Sequence, residues 1–181
     1  YTVLEHIKQT DVFLKQVREH LKDNGKVFIS VPDCSSEIFE GDGSIFLHEH
    51  YHYFTPSSLS NTFISENFNI RVKKSSFGRS LYGVAEITKM KNMSFLNEDK
   101  NIYKNFPKKF SEIQKQLNLF LKSSSEFGLL GIFCPARILN YITNENDNIF
   151  FFDDSEILFN KFYPPFKYEI YSRKDLFKIK P

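Results

Sequence analysis

A single stretch near the start narrows the fold more than any other. From Thr10 to Leu21 the apolar residues Phe13, Leu14, Val17 and Leu21 recur at helical spacing, so one stripe of a helix faces a core. Thr10 is placed to cap that helix. Asn24-Gly25 follows, a pair suited to the left-handed backbone that closes a helix. Lys26 to Val31 (KVFISV) is then rich in β-branched and aromatic residues, and Pro32-Asp33 stops it. A helix that turns tightly into a short buried strand is the repeating unit of an α/β fold. The apolar Tyr1-Thr2-Val3-Leu4 ahead of it reads as the end of a preceding strand. A domain rarely starts inside an apolar element, so the chain reads as the later part of something longer.

The rest of the chain extends this pattern. Cys34 to Ile45 is loop-like, with Gly41 and Gly43. Pro56 to Glu66 suggests a short helix capped by Ser57 or Ser58, with Leu59 and Phe63 on one side. Phe68 to Lys74 and Leu81 to Lys89 read as two strands of a hairpin joined through Ser75–Ser80. Met90 to Asn105 is polar and weakly patterned, as a linker is. Pro107 to Ser123 carries Phe110, Ile113, Leu117, Phe120 and Leu121 at helical spacing. Leu129–Phe133 and Ile149–Phe152 then look like strands around a helix at Ala136–Ile142, and Ser172 with Asp175 forms a capping box for a last helix. The expected division is 1–89, then a linker and helix over 90–126, then a small, incomplete βαβ unit over 127–181.

Composition excludes several classes. A net charge of +2 over 181 residues gives no basic patch for nucleic acid. No apolar run approaches 18 residues, so no membrane partner is expected. Cys34 and Cys134 lie far apart and belong to no CxxC, which fits reduced thiols of a cytoplasmic protein.

The segment His48-Glu49-His50-Tyr51-His52-Tyr53-Phe54-Thr55-Pro56 concentrates three imidazoles, a carboxylate and two phenols. On an extended backbone His48, His50 and His52 share one face and Glu49, Tyr51 and Tyr53 the other. Three imidazoles on one face can bind zinc with Glu49 nearby as base. A structural zinc site needs four ligands, though, and no cysteine pair or second histidine cluster supplies the rest; His6 and His20 are far along the chain. No metal ligand is therefore assigned, and a zinc-binding protein stays as the weaker third reading. The alternative is proton transfer, for which an imidazole titrating at about 6.5 is well matched at neutral pH.

Several stretches, in order, resemble the class I S-adenosylmethionine-dependent methyltransferases, and most closely a sugar C-methyltransferase-like branch. They are Val3-Leu4-Glu5-His6-Ile7, Leu21 to Ile29 (LKDNGKVFI), Val31-Pro32-Asp33, His48-Glu49-His50 through Leu59, Gly78-Arg79-Ser80-Leu81, Gly131 to Tyr141, and Asp153-Asp154-Ser155. The resemblance covers nearly the whole chain. The family's glycine-rich loop and the acidic end of its second strand are not found in these 181 residues. Leu47 stands where the branch often has Tyr, and Arg79 where it has Gly.

The resemblance implies a fold and a chemistry. The fold is α/β, with the later strands of a doubly wound Rossmann-like sheet, then a helix and a small second α/β unit. The chemistry is methyl transfer from S-adenosylmethionine to a small acceptor, a carbon of a nucleotide-linked sugar. His50 would be the general base and Glu49 its helper. Leu4, Glu5 and His6, after the fourth strand, would line the cofactor pocket. His48, Tyr51 and Asp33 would face the acceptor. The alternative is a non-catalytic module that binds a partner chain or a nucleotide sugar.

Overall fold

The computed structural model describes residues 3–46, 49–88, 94–97, 100–126, 128, 130–133 and 135–180, with the backbone alone at 101, 102 and 125. The chain forms two compact units. The first comprises Tyr1–Phe39 and Leu47–Lys104, the second Glu40–Phe46 and Asn105–Pro181. No helix among the described residues is long and apolar enough to cross a membrane.

In the first unit the order is a 3-10 turn (Leu4–His6), α1 (Thr10–His20), β1 (Lys26–Pro32), α2 (Ser35–Glu40, whose last residue falls in the second unit), α3 (Pro56–Ser65), β2 (Phe68–Lys74) and β3 (Ser80–Ile87). Leu4 thus lies in a 3-10 turn and not at a strand end. The stripe of α1 packs as its spacing requires, with Leu14 fully buried and Phe13, Val17 and Leu21 against the same core. Thr10 is the first helical residue, not the cap; Gln9 holds the cap position and makes no side-chain bond. Asn24 takes the left-handed conformation (φ 58°) and Gly25 N–H bonds back to Lys22 O at 2.8 Å. The cap of α3 is Thr55, two residues before Ser57 and three before Ser58, the serines the sequence suggested. Its Oγ1 accepts from Ser58 N–H at 3.1 Å while its own N–H donates to Ser58 Oγ at 2.8 Å.

The sheet of this unit has the order β1-β3-β2, and both pairings are antiparallel. The β2–β3 hairpin is the one the sequence indicates. Its last strand inserts between the other two, pairing Lys26 with Glu86 and Phe68 with Ile87. Gly83 makes this insertion possible. A Cβ there would stand 2.6 Å from Ile29 Cγ2 and 2.9 Å from Ile70 Cδ1, so the two isoleucines meet over a bare backbone. The core beneath is Leu4, Leu14, Val31, Phe54, Leu59, Phe63, Phe68, Leu81 and Ala85.

In the second unit α4 runs Lys100–Glu126, its residues from Asn105 onward belonging here, and it passes through Pro107. The sequence suggested a start at Pro107, because proline in a helix interior removes one hydrogen bond and costs about 3 kcal/mol. Aromatic packing offsets that cost. Phe106 and Phe110 stack at 5.9 Å, Phe46 meets Phe106 edge-on at 5.5 Å, and Phe110 stacks on Tyr141 at 5.0 Å. The sheet, β4 (Leu130–Phe133), β5 (Ile149–Asp153) and β6 (Ile170–Ser172), is parallel throughout in that order. The connection after β4 is two 3-10 turns, Pro135–Arg137 and Leu139–Tyr141, where a helix was expected. The Ser172–Asp175 capping box is present and opens a 3-10 turn that leads into α5 (Leu176–Ile179).

Tyr141 clips the 40–46 segment into this unit. Its hydroxyl donates to Asp42 Oδ1 at 2.8 Å and accepts from Gly43 N–H. Burial, then the hydrogen bond to Asp42, pushes its phenol from the ordinary 10 up to about 12. The folded state therefore holds this proton more tightly than the unfolded chain. Its contribution is complete below about pH 10 and is lost as pH rises toward 12. Urea titrations of the whole chain at stepped pH are expected to show a midpoint that falls across that window. Tyr141→Phe should lower the midpoint at pH 7, a loss of about 1–3 kcal/mol as the Gly43 N–H gives up its acceptor, and flatten the fall. A fall of equal size in the variant would remove Tyr141 as its cause.

Candidate functional site

The histidine segment is tied to the first turn of the chain by its backbone. Glu5 O accepts from Tyr51 N–H at 2.8 Å and from His52 N–H at 3.3 Å. In return His6 Nδ1 donates to Glu49 O at 3.0 Å and His52 Nε2 donates to Ile7 O at 3.0 Å. Leu4, fully buried, anchors one side of this ladder and Phe54, 3% exposed, the other. Cys34 N–H bonds to Phe54 O at 2.9 Å, which joins the segment to the end of β1. A turn at Glu49 and a bend at Tyr51 break the strand-like alternation. His50 and His52 therefore do not act as one face: His52 is occupied with Ile7, while His50 leans against His6.

The ring centroids of His6 and His50 are 4.7 Å apart in an edge-to-face arrangement, and the Tyr53 ring lies 6.1 Å from His50. Beside them sits Glu5, 1% exposed, with Oε1 3.8 Å from His6 Nε2. One ligand atom from each of Glu5, His6 and His50 lies within 4.8 Å of the others, the one such cluster of histidine, cysteine and carboxylate among the described residues. A solvated helix start, the ordinary reading of Glu5 and His6, does not describe a carboxylate buried this deeply.

The remaining site candidates fall elsewhere. Glu49 and Tyr51 carry exposed side chains, and Glu49 serves the cluster through its carbonyl. His48 lies outside the described residues. Asp33 sits past the end of β1. Burial would raise its carboxyl, but hydrogen bonds from Ser35 and the ion pair with Lys74, 3.0 Å away, outweigh that and hold it below its ordinary value. Sequence reasoning missed the ion pair of Arg79 with Glu37, whose side chain is 5% exposed. Nothing local signals it, since the partners meet across 42 residues.

Cys34 is buried, and burial, followed by the charges of Glu37 and Asp33, pushes its thiol up to about 11. At pH 8 only about one in a thousand such thiols is ionised, and the thiolate is the nucleophile. Iodoacetamide at pH 8 is expected to leave Cys34 unmodified in the folded chain and to alkylate it in urea. Peptide mapping reads this directly, and rapid labelling of the folded chain at Cys34 would contradict the buried, neutral thiol.

Residues 2–72, from just before the Leu4–His6 turn to within β2, match the family model described as a methyltransferase domain. The match spans under half of the chain and supports a methyltransferase domain of the class I type over those residues. Members of that family generally use S-adenosylmethionine. The mixed α/β structure is compatible with such a domain. No curated protein matches the chain.

Proposed function

We propose that the first unit carries the acceptor side of an S-adenosylmethionine-dependent methyltransferase acting on a carbon of a nucleotide-linked sugar. The observation that supports this best is the convergence of His6, His50 and buried Glu5 inside the span that matches the methyltransferase family. On this reading β1, β3 and β2 are later strands of a doubly wound sheet, and the second unit is a small Rossmann-like domain. His50 is the general base, its ring positioned by His6, and Glu49 assists. Leu4, Glu5 and His6 lie toward the cofactor, while His48, Tyr51 and Asp33 lie toward the acceptor, in a cytoplasmic enzyme.

S-adenosylmethionine supplies an electrophilic methyl group. The protein's task is to make a carbon nucleophile. His50 takes a proton from the carbon next to a carbonyl of the sugar, and the electron pair left behind would form the new C–C bond as the methyl–sulfur bond breaks and the thioether S-adenosylhomocysteine leaves. Holding that carbon within about 3–3.5 Å of the methyl group is the main catalytic contribution. Proton removal can be tested without methyl transfer. The chain incubated in D₂O with nucleotide-linked keto sugars is expected to wash deuterium into the position beside the carbonyl. No exchange above buffer, with binding of the sugar demonstrated, would end this reading.

A second reading is favoured by one observation: the 181 residues contain no glycine-rich G-x-G-x-x-G loop. On it, the chain is a non-catalytic module that binds a nucleotide sugar or a partner chain. Calorimetry with S-adenosylmethionine separates the two, since micromolar binding by this chain counts against the module.

A further inference from the structure

Glu5 is a carboxylate where carboxylates are rarely left alone. It is 1% exposed, and its Oε2 is buried without a hydrogen-bond partner among the described residues. Such a group is strongly disfavoured unless a proton or a cation completes it. The neighbouring imidazole does not complete it in its neutral form. A carbonyl oxygen only accepts, so the 3.0 Å contact with Glu49 O puts the proton of His6 on Nδ1. Nε2 of the neutral ring then turns its lone pair toward Glu5 Oε1, 3.8 Å away. With the ring neutral, two acceptors face each other across a gap that a cation would fill. The ring of His50 closes the third side.

Metal sites use the same kinds of group, with an outer support. Histidines that bind metals commonly donate their other ring N–H to a backbone carbonyl, which fixes the tautomer and orients the ring. Bonds of about 2.0–2.2 Å to nitrogen and oxygen allow two ligands of one ion to stand at most about 4.4 Å apart. The ligand atoms here lie within 4.8 Å of one another, so the exposed His6 ring and the half-buried His50 ring would close in around an ion by side-chain rotation. Two imidazoles with one carboxylate suit divalent first-row transition ions; magnesium and calcium prefer oxygen alone. The cluster is not the one the sequence suggested. His52 is spent on Ile7, and His6, distant along the chain, takes a ligand position.

We propose that Glu5, His6 and His50 form a binding site for one divalent first-row transition ion, with the Glu49 carbonyl orienting His6. An ion there engages the imidazole that the methyl-transfer reading uses as base, so the two roles exclude each other in one molecule at one time. The test reads ion binding alone and does not depend on whether the chain transfers methyl groups.

The reduced, full 181-residue chain is titrated with Co²⁺ and followed by visible absorption. The expected result is saturation at one Co²⁺ per chain, with weak visible bands and no thiolate-to-cobalt band from Cys34 or Cys134. Zn²⁺ should displace the Co²⁺ and Mg²⁺ should not. His6→Asn and His50→Asn should each weaken binding by about tenfold or more, while His20→Asn, at an exposed histidine of α1, should not. Glu5→Gln should weaken it as well, with far-UV circular dichroism confirming the fold. Since a change at a fully buried residue can unfold the unit, the half-buried His50 carries the decision. No saturable Co²⁺ binding, a thiolate band, displacement by Mg²⁺, or an affinity unmoved by His6→Asn and His50→Asn would each overturn the proposal.

Discussion

Asparagine in place of His50 lowers the rate of deuterium wash-in to a bound keto sugar by about 10²–10⁴-fold, the usual contribution of a general acid–base group. Asparagine keeps the polarity and much of the bulk of the imidazole but cannot take the proton. The half-buried ring rests edge-on against His6, so its loss leaves the backbone ladder of Glu5, Tyr51 and His52 in place. Binding of the sugar should therefore change far less than turnover. His52→Asn makes the matching control. That ring donates to the Ile7 carbonyl, so its removal costs stability of about 1 kcal/mol and leaves the exchange rate close to that of the parent. If His50→Asn exchanges as fast as the parent protein, His50 is not the base.

Phe63→Ala is expected to destabilise the first unit by about 3–5 kcal/mol, the cost of deleting a large buried aromatic side chain. Phe63 is fully buried on α3, edge-on to Phe68 with centroids 5.6 Å apart, in the cluster that also holds Leu4. Domains of this size are stable by only about 5–15 kcal/mol, so the loss is a large fraction of the whole. Urea unfolding of the chain measures it as a lowered midpoint. Phe77 supplies the contrast: it is 87% exposed at the hairpin turn, and Phe77→Ala should stay within about 0.5 kcal/mol of the parent. Equal effects at the two positions would mean that the packing described for α3 and β2 does not hold the unit together.

The elements legible in the sequence are those whose pattern is local. The stripe Phe13, Leu14, Val17 and Leu21 announces α1, KVFISV announces β1, and two apolar runs around a polar turn announce the β2–β3 hairpin. What was not legible depends on contacts between distant residues. The pairing of Lys26 with Glu86 puts the last strand in the middle of the sheet, and no periodicity encodes that choice. The start of α4 before Pro107 depends on the Phe46–Phe106 and Phe110–Tyr141 contacts, which override a local stop signal. At three residues, β6 is too short for an alternation to show. The site divides the same way. The density of the His48–Tyr53 segment draws attention by itself, but the meeting of His50 with His6 and Glu5 spans more than forty residues and exists only in the fold.

The middle position of β3 has a consequence for how this unit is made. On the ribosome β1 and β2 both emerge ahead of the strand that joins them. At about 5–20 residues per second, roughly 3–11 s separate the appearance of Pro32 from that of Ile87. During that interval β1 lacks its pairing with β3 and the isoleucine contact across Gly83. A chain halted after β2 and before β3 therefore holds β1 and β2 without the strand that joins them.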